Sequence, residues 1–243
     1  MTNKVKRLVC GLVFLLMLSE LAYCEDIVSF TSGKYASKLK GILFGKDVKL
    51  VDIPAHELEY PKLRGAWLNK AVSPVWAKTF ANDGGRLVMF CTGGDAKDLN
   101  DSFQELFGLT VVYEYVCKSR TNRSLAGDNF CPLWKGLRVT NEYPDSPSVI
   151  SCYFMVKEKS WTCTSITSES TGKTRVVSAH KKLGKGEVLF IAKLTRKDYL
   201  QAPEVSIDRM YSNSALELLD NEEAVLAMVD WLVGRRRFPR NID

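Results

Sequence analysis

Cys91 is the residue best placed to do chemistry. It closes the apolar run Arg86 to Cys91 (RLVMFC) and is followed by Thr92-Gly93-Gly94-Asp95, the composition of a sharp strand-to-helix turn. A thiol at such a turn acts as a nucleophile only when a nearby base converts it to thiolate. The chain has two histidines: His56, in a loop after Pro54, and His180, ahead of the turn Leu183-Gly184-Lys185-Gly186. Neither makes a recognisable dyad with Cys91, and the alternative to catalysis is a small buried residue that ends a strand. No metal and no cofactor is expected. The cysteines form no C-x-x-C pair, and two isolated histidines do not build a zinc site. Asp95, Asp98 and Asp101 recur three apart at the start of a predicted helix, where acidic side chains suit the helix dipole. Gly93-Gly94 is too short for a phosphate loop.

Strand and helix patterns alternate around these residues. Ile27 to Phe30 reads as a strand, and Tyr35, Leu39, Ile42 and Leu43 recur at helical spacing. Val48 to Ile53 is a second strand. Pro61 and Gly65 interrupt the next segment, which holds a short strand around Ala66 to Leu68. A helix passes through Val75, Trp76 and Phe80, and Arg86 to Cys91 has the continuous apolarity of a parallel strand buried on both faces. A helix through Leu99, Phe103, Leu106 and Phe107 precedes a strand from Leu109 to Val116. Between about 117 and 180 the pattern changes to a polar loop, then Val149 to Val156 and Trp161 to Ile166 as arms of a β-hairpin, then a strand at Arg175 to Ala179. The parallel pattern returns with Glu187 to Leu194 and a last helix from about Asn221 to Val233. This alternation predicts an α/β fold, flavodoxin- or Rossmann-like, with a mostly parallel sheet, helices on both faces and an appended antiparallel hairpin.

The ends and the composition set the compartment. Lys4, Lys6 and Arg7 precede the 11-residue apolar run Leu8 to Leu18, and Ser19-Glu20 and Ala22-Tyr23-Cys24 follow, in the order of a secretory signal peptide. A membrane anchor needs about 20 apolar residues, and a bulky Tyr23 sits badly before a lipidated cysteine, so cleavage after Cys24 is the favoured expectation. This predicts residues 1–24 as signal peptide, 25–234 as one domain and 235–243 as a basic tail, with no stable transmembrane segment after cleavage and an exported product: periplasmic or secreted, or in the secretory lumen of a eukaryote. The first 24 residues hold three cations and Glu20, so the rest carries +4 of the overall +6. That is weaker than the basic face of a nucleic-acid binder, and nucleic acid is not an expected partner. The tail Arg235-Arg236-Arg237-Phe238-Pro239-Arg240 reads by default as a solvated helix end. Export permits disulfides. A two-residue turn at Lys157-Glu158 would set Cys152 opposite Cys163, and Cys117 and Cys131 bracket the polar loop, so bridges 117–131 and 152–163 are expected, with Cys91 reduced. Asn100-Asp101-Ser102 and Asn122-Arg123-Ser124 are glycosylation sequons.

Three pieces in order carry a family resemblance: Asp83-Gly84-Gly85-Arg86-Leu87-Val88-Met89-Phe90, then Gly184-Lys185-Gly186-Glu187-Val188-Leu189-Phe190-Ile191, then Asp220-Asn221-Glu222-Glu223 ahead of Val229-Asp230-Trp231-Leu232. Together they resemble the class I glutamine amidotransferase-like superfamily, and its non-catalytic branch of gliding-motility, intraflagellar-transport and oligosaccharyltransferase subunits most closely. The resemblance implies that the "GG-R" and "G-K-G" strands are neighbours in a flavodoxin-like sheet closed by a helix ending in Trp-Leu. Catalytic relatives place a nucleophile near the position of Cys91. Here the elbow glycine pattern ahead of it is missing, and His180 lacks the His-x-Glu context.

Ligands of open parallel sheets sit outside the carboxyl ends of the strands, where strand order reverses. The resemblance implies that the strand beside the first is Arg86 to Cys91. The binding residues are then expected in the turns Thr31-Ser32-Gly33-Lys34 and Thr92-Gly93-Gly94-Asp95, which let a ligand approach the backbone and lead into helix N-termini. Ordinary helix capping explains the same residue types. The function expected is an exported, non-catalytic binding or assembly module whose partner is a glycan, peptide or envelope protein. The alternative is a thiol-dependent hydrolase or amidotransferase-like enzyme using Cys91.

Overall fold

The computed structural model describes residues 26–30, 37–51, 63–68, 73–91, 93–118, 125–126, 131–139, 148–167, 171–192, 194–196 and 216–239. The expected signal peptide 1–24 lies outside them. Five strands form the parallel core: β1 (Asp26–Phe30), β2 (Val48–Val51), β3 (Leu63–Leu68), β4 (Arg86–Cys91) and β11 (Gly186–Ala192). Their order is β2-β1-β3-β4-β11, all parallel. This is the flavodoxin order, in which the reversal falls between the first strand and the third. All seven residues of β11 and the last five of β4 are buried, as their continuous apolarity predicts for strands covered on both faces.

The neighbour of β1 differs from expectation. β3, not β4, lies beside it, so the switch point is between β1 and β3. Pro61 and Gly65 read as breaks in the sequence, yet the strand runs six residues through Gly65. The glycine lets a helix approach. A Cβ on Gly65 would stand 2.6 Å from the Leu232 Cβ of the last helix.

The middle of the chain extends this sheet with antiparallel strands. These are β5 (Leu109–Lys118), β8 (Ser148–Val156), β9 (Thr162–Thr167), β10 (Thr174–Leu183) and β12 (Leu194–Arg196). A separate two-stranded ribbon joins β6 (Leu125–Ala126) to β7 (Arg138–Val139). The expected hairpin of residues 149–156 with 161–166 does not form. β9 takes one edge of β10, while β8 and β11 share the other, since Val176 faces both Phe154 and Ser165. The turn residues are engaged elsewhere. The Lys157 N–H donates to the Gly108 carbonyl at 3.1 Å, and the Trp161 indole N–H to that of Phe107 at 3.3 Å. β8 instead pairs with β5 and β12.

Four helices complete the described chain: α1 (Ser37–Phe44), α2 (Pro74–Asn82), α3 (Gly93–Phe107) and α4 (Asn221–Leu232). Phe103 and Phe107 of α3 meet Phe190 of β11 edge-on at 5.5 and 5.3 Å, and Trp161 reaches the same ring at 5.7 Å. Asn100, the first residue of a sequon, spends its amide on β5. It accepts from the Val111 N–H at 2.9 Å and donates to the Val111 carbonyl at 2.8 Å. A glycan on Nδ2 would replace one of its two hydrogens and compete with the bond to the Val111 carbonyl. α4 is pinned by the buried Trp134, whose indole N–H donates to the Ala224 carbonyl at 3.0 Å.

The turn Gly84-Gly85 packs against the start of β11 so closely that a Cβ on Gly186 would collide with the carbonyl oxygens of Gly85 and Ala81. Nothing lies within 4 Å of a Cβ placed on Gly41 of α1. Gly186→Ala is therefore expected to destabilise the fold by about 3 kcal/mol, because backbone must shift. Gly41→Ala is expected to stabilise it by about 0.5–1 kcal/mol through helix propensity. Urea unfolding measures both, and a Gly186→Ala midpoint equal to that of the parent contradicts the packing.

Candidate functional site

The densest set of polar contacts lies at the amino ends of β4 and β11, which register Arg86 opposite Glu187. Glu187 is 7% exposed, so burial by itself raises its carboxyl pKa. Opposing this, His180 Nε2 lies 2.8 Å from Oε2, Arg86 Nε and a terminal guanidinium nitrogen lie 3.0 and 2.9 Å from Oε1, and the Trp231 indole N–H reaches Oε2 at 3.3 Å. Together these groups hold the carboxyl at about 2, below its ordinary 4.5. The remaining guanidinium nitrogen of Arg86 donates to the Trp231 carbonyl at 2.7 Å. A carboxylate only accepts, so the His180 Nε2 carries the proton in this pair.

The chain after α4 closes over this group. Phe238 stacks on the His180 imidazole with centroids 3.7 Å apart and planes 8° from parallel. Arg235 pairs with Asp26 at 3.1 Å. The segment is thus tied to the domain through Arg235 and Phe238, while the side chains of Arg235, Arg236 and Arg237 stay exposed, as the solvated helix end read from the sequence has them. Between this segment and β9–β10 lies a cleft of about 530 Å³ whose wall includes Thr162, His180, Lys182, Arg237 and Phe238. Lys181, also at the cleft, pairs with Glu158, and this contact with the Ser160 hydroxyl holds the Glu158 carboxyl below its ordinary range.

Cys91 sits at the other end of β4. Five residue steps of extended strand separate it from Arg86, about 16 Å at ~3.3 Å per residue. It is fully buried, its thiol faces the Met89 carbonyl at 4.0 Å, and its own carbonyl accepts the Cys152 S–H at 3.1 Å. His180 is committed to Glu187 at the far end of the sheet, and His56 lies outside the described residues. Cys131, Cys152 and Cys163 are not at disulfide distance from one another. Cys152 and Cys163 stand on strands that flank opposite edges of β10 and do not face one another. Burial pushes the Cys131 thiol up to about 12, against the pull of the Leu133 backbone and Arg236, and so disfavours the thiolate that disulfide exchange needs. The side chain of Cys117 lies outside the description.

Of the expected binding residues, Thr31, Ser32, Gly33, Lys34 and Thr92 fall outside the described residues. Gly93, Gly94 and Asp95 open α3 at the carboxyl end of β4, one strand removed from the switch point. Among the described residues no group of three His, Cys, Asp or Glu is placed to hold a metal ion, and no helix is long and apolar enough to cross a membrane. Sequence reasoning missed the Glu187–His180 contact. The two-residue turn Gly184-Lys185 carried the signal, because it sets Leu183 opposite Gly186 and makes residues 180 and 187 diagonal neighbours.

No protein-family model and no curated protein matches the chain. Among solved structures it is similar to the mmIFT52 N-terminal domain, with a TM-score of 0.53 at 13% identity over 87% of this chain and 100% of that one. It also overlaps a catalytic mutant of Gan42B, a GH42 beta-galactosidase from G. stearothermophilus, with a TM-score of 0.43 at 12% identity over 73% of this chain. A beta-galactosidase from Bacillus circulans sp. alkalophilus gives 0.42 at 11% identity over 70% of this chain. The chain spans 28% of each enzyme, and superpositions that loose carry no argument about its chemistry. The first likeness bears on the fold, which is mixed α/β with a mostly parallel central sheet and added antiparallel strands.

A depressed carboxyl pKa supports the folded state above the unfolded value and stops doing so as pH falls through the folded one. The Glu187 contribution is thus complete above about pH 4.5 and lost toward about pH 2. Glu187→Gln should cost about 3 kcal/mol near neutral pH by stranding Arg86, and its melting temperature should fall less steeply than the parent's between those pH values. Parallel pH profiles for the two proteins would contradict the assignment.

Proposed function

We propose that this protein is an exported, non-catalytic binding or assembly module with an amidotransferase-like fold, acting on a glycan, peptide or envelope protein. The observation that carries the reading is the placement of Cys91 and His180 at different ends of the described sheet. Cys91 is enclosed in the core, and His180 is spent on Glu187, which registers with Arg86 at the other end of β4. The superfamily assignment rests on the three motifs and draws support in fold alone from the mmIFT52 N-terminal domain. Helices on both faces belong to the same proposal. Phe190 meets α3 and Glu187 meets α4, and residues three apart in a strand point to opposite sides. Export rests on the pattern of residues 1–24. The turns after β1 and β4, from Thr31 to Lys34 and Thr92 to Asp95, remain the proposed contact surface for the partner.

Thiol reactivity tests the reading. In the native full-length chain, iodoacetamide should label Cys91 about 100-fold more slowly than in urea, because the thiol is reached only through opening of the core. The half-buried Cys163 should label ahead of it. Rapid labelling of Cys91 before Cys163 in native protein would favour the thiol-enzyme alternative.

A further inference from the structure

The cleft between β9–β10 and the segment after α4 has a charge imbalance that its neighbours do not cancel. Arg86 is committed to Glu187 and Lys181 to Glu158, each within salt-bridge distance. Lys182 and Arg237 line the same cleft, and no carboxylate among the described residues pairs with either. The one acid in the wall, Glu187, already receives both ring-nitrogen donors on one oxygen and the guanidinium on the other. Its lone pairs are occupied and its charge is offset at close range, so it presents little repulsion to an incoming anion.

The backbone that carries Arg237 is held on both sides. Arg237 sits between two anchored residues, Arg235 on Asp26 and Phe238 on the His180 ring. Lys182 rises from the same strand face as His180, two residues along β10. Phe238 and Pro239 supply apolar surface beside the two cations, and Thr162 supplies a hydroxyl. A concave site with an apolar wall and convergent charges concentrates its field at the opening and strengthens binding of the opposite charge. The volume of about 530 Å³ suits a small molecule.

We infer that this cleft binds a small dianionic ligand, a phosphate or a paired carboxylate, between Lys182 and Arg237. It lies at the amino end of the parallel strands, the opposite end from the turns after β1 and β4, so it is a second site and stands or falls apart from the reading of Cys91.

Titration calorimetry of the full chain with sodium phosphate, with citrate and with glucose as a neutral control tests the inference. Saturable binding of phosphate or citrate, weakened by added salt and absent for glucose, is expected. Preference between the two anions distinguishes a phosphate from a carboxylate ligand. Lys182→Gln and Arg237→Gln should each weaken binding about tenfold, the loss of one charge-assisted contact, with unchanged thermal melts. Lys40→Gln, the same charge change on an exposed face of α1, should leave affinity unaltered. Absence of binding by both anions, or an equal loss in Lys40→Gln, would overturn it.

Discussion

A single buried carboxylate ties the elements of this fold together. Glu187 belongs to β11, and the groups that neutralise it come from β4, β10 and α4, while Phe238 from beyond α4 covers His180. A carboxylate so enclosed is tolerable only when its charge is paired and its lone pairs are filled. The cost of desolvating it falls on any arrangement in which one of those elements is displaced. The network therefore fixes how α4 lies on the sheet and where the chain goes after it.

The same residues give physical meaning to the motifs that looked familiar in the sequence. Arg86 ends the Gly84-Gly85-Arg86 stretch, Glu187 follows Gly186, and Trp231 lies in Asp230-Trp231-Leu232. The glycines let backbones meet where side chains would collide, around Gly186 against Gly85 and Gly65 against Leu232. The polar residues then lock the contact. A motif set of this kind records how a sheet and its closing helix are joined.

The legible parts of the fold were those whose burial is uniform or strongly periodic. Leu87 to Cys91 and Val188 to Ala192 are apolar throughout because both faces are covered, and α4 shows an apolar stripe through Val225, Met228 and Leu232. Residues 63–68 were harder, because Gly65 weakens a strand pattern for the same reason that it admits Leu232. Alternation in 149–156 and 161–166 identified strands but not their neighbours. Pairing depends on contacts remote in sequence, such as Lys157 with Gly108 and Trp161 with Phe107. The same contacts set Cys152 and Cys163 on strands at opposite edges of β10. The cleft was invisible in sequence because Thr162, Lys182 and Arg237 come from three separate segments, and its discovery required the fold of the tail.

Arg86 and Glu187 act as one structural unit, and a double-mutant cycle measures this directly. Unfolding free energies of the parent, Arg86→Ala, Glu187→Ala and the double variant, from urea titration, give the coupling between the two side chains. A coupling of about 2 kcal/mol, with the double variant much less destabilised than the sum of the single ones, is the expected result. Single-variant losses that add to within about 0.5 kcal/mol would show that the two side chains act independently and contradict the account.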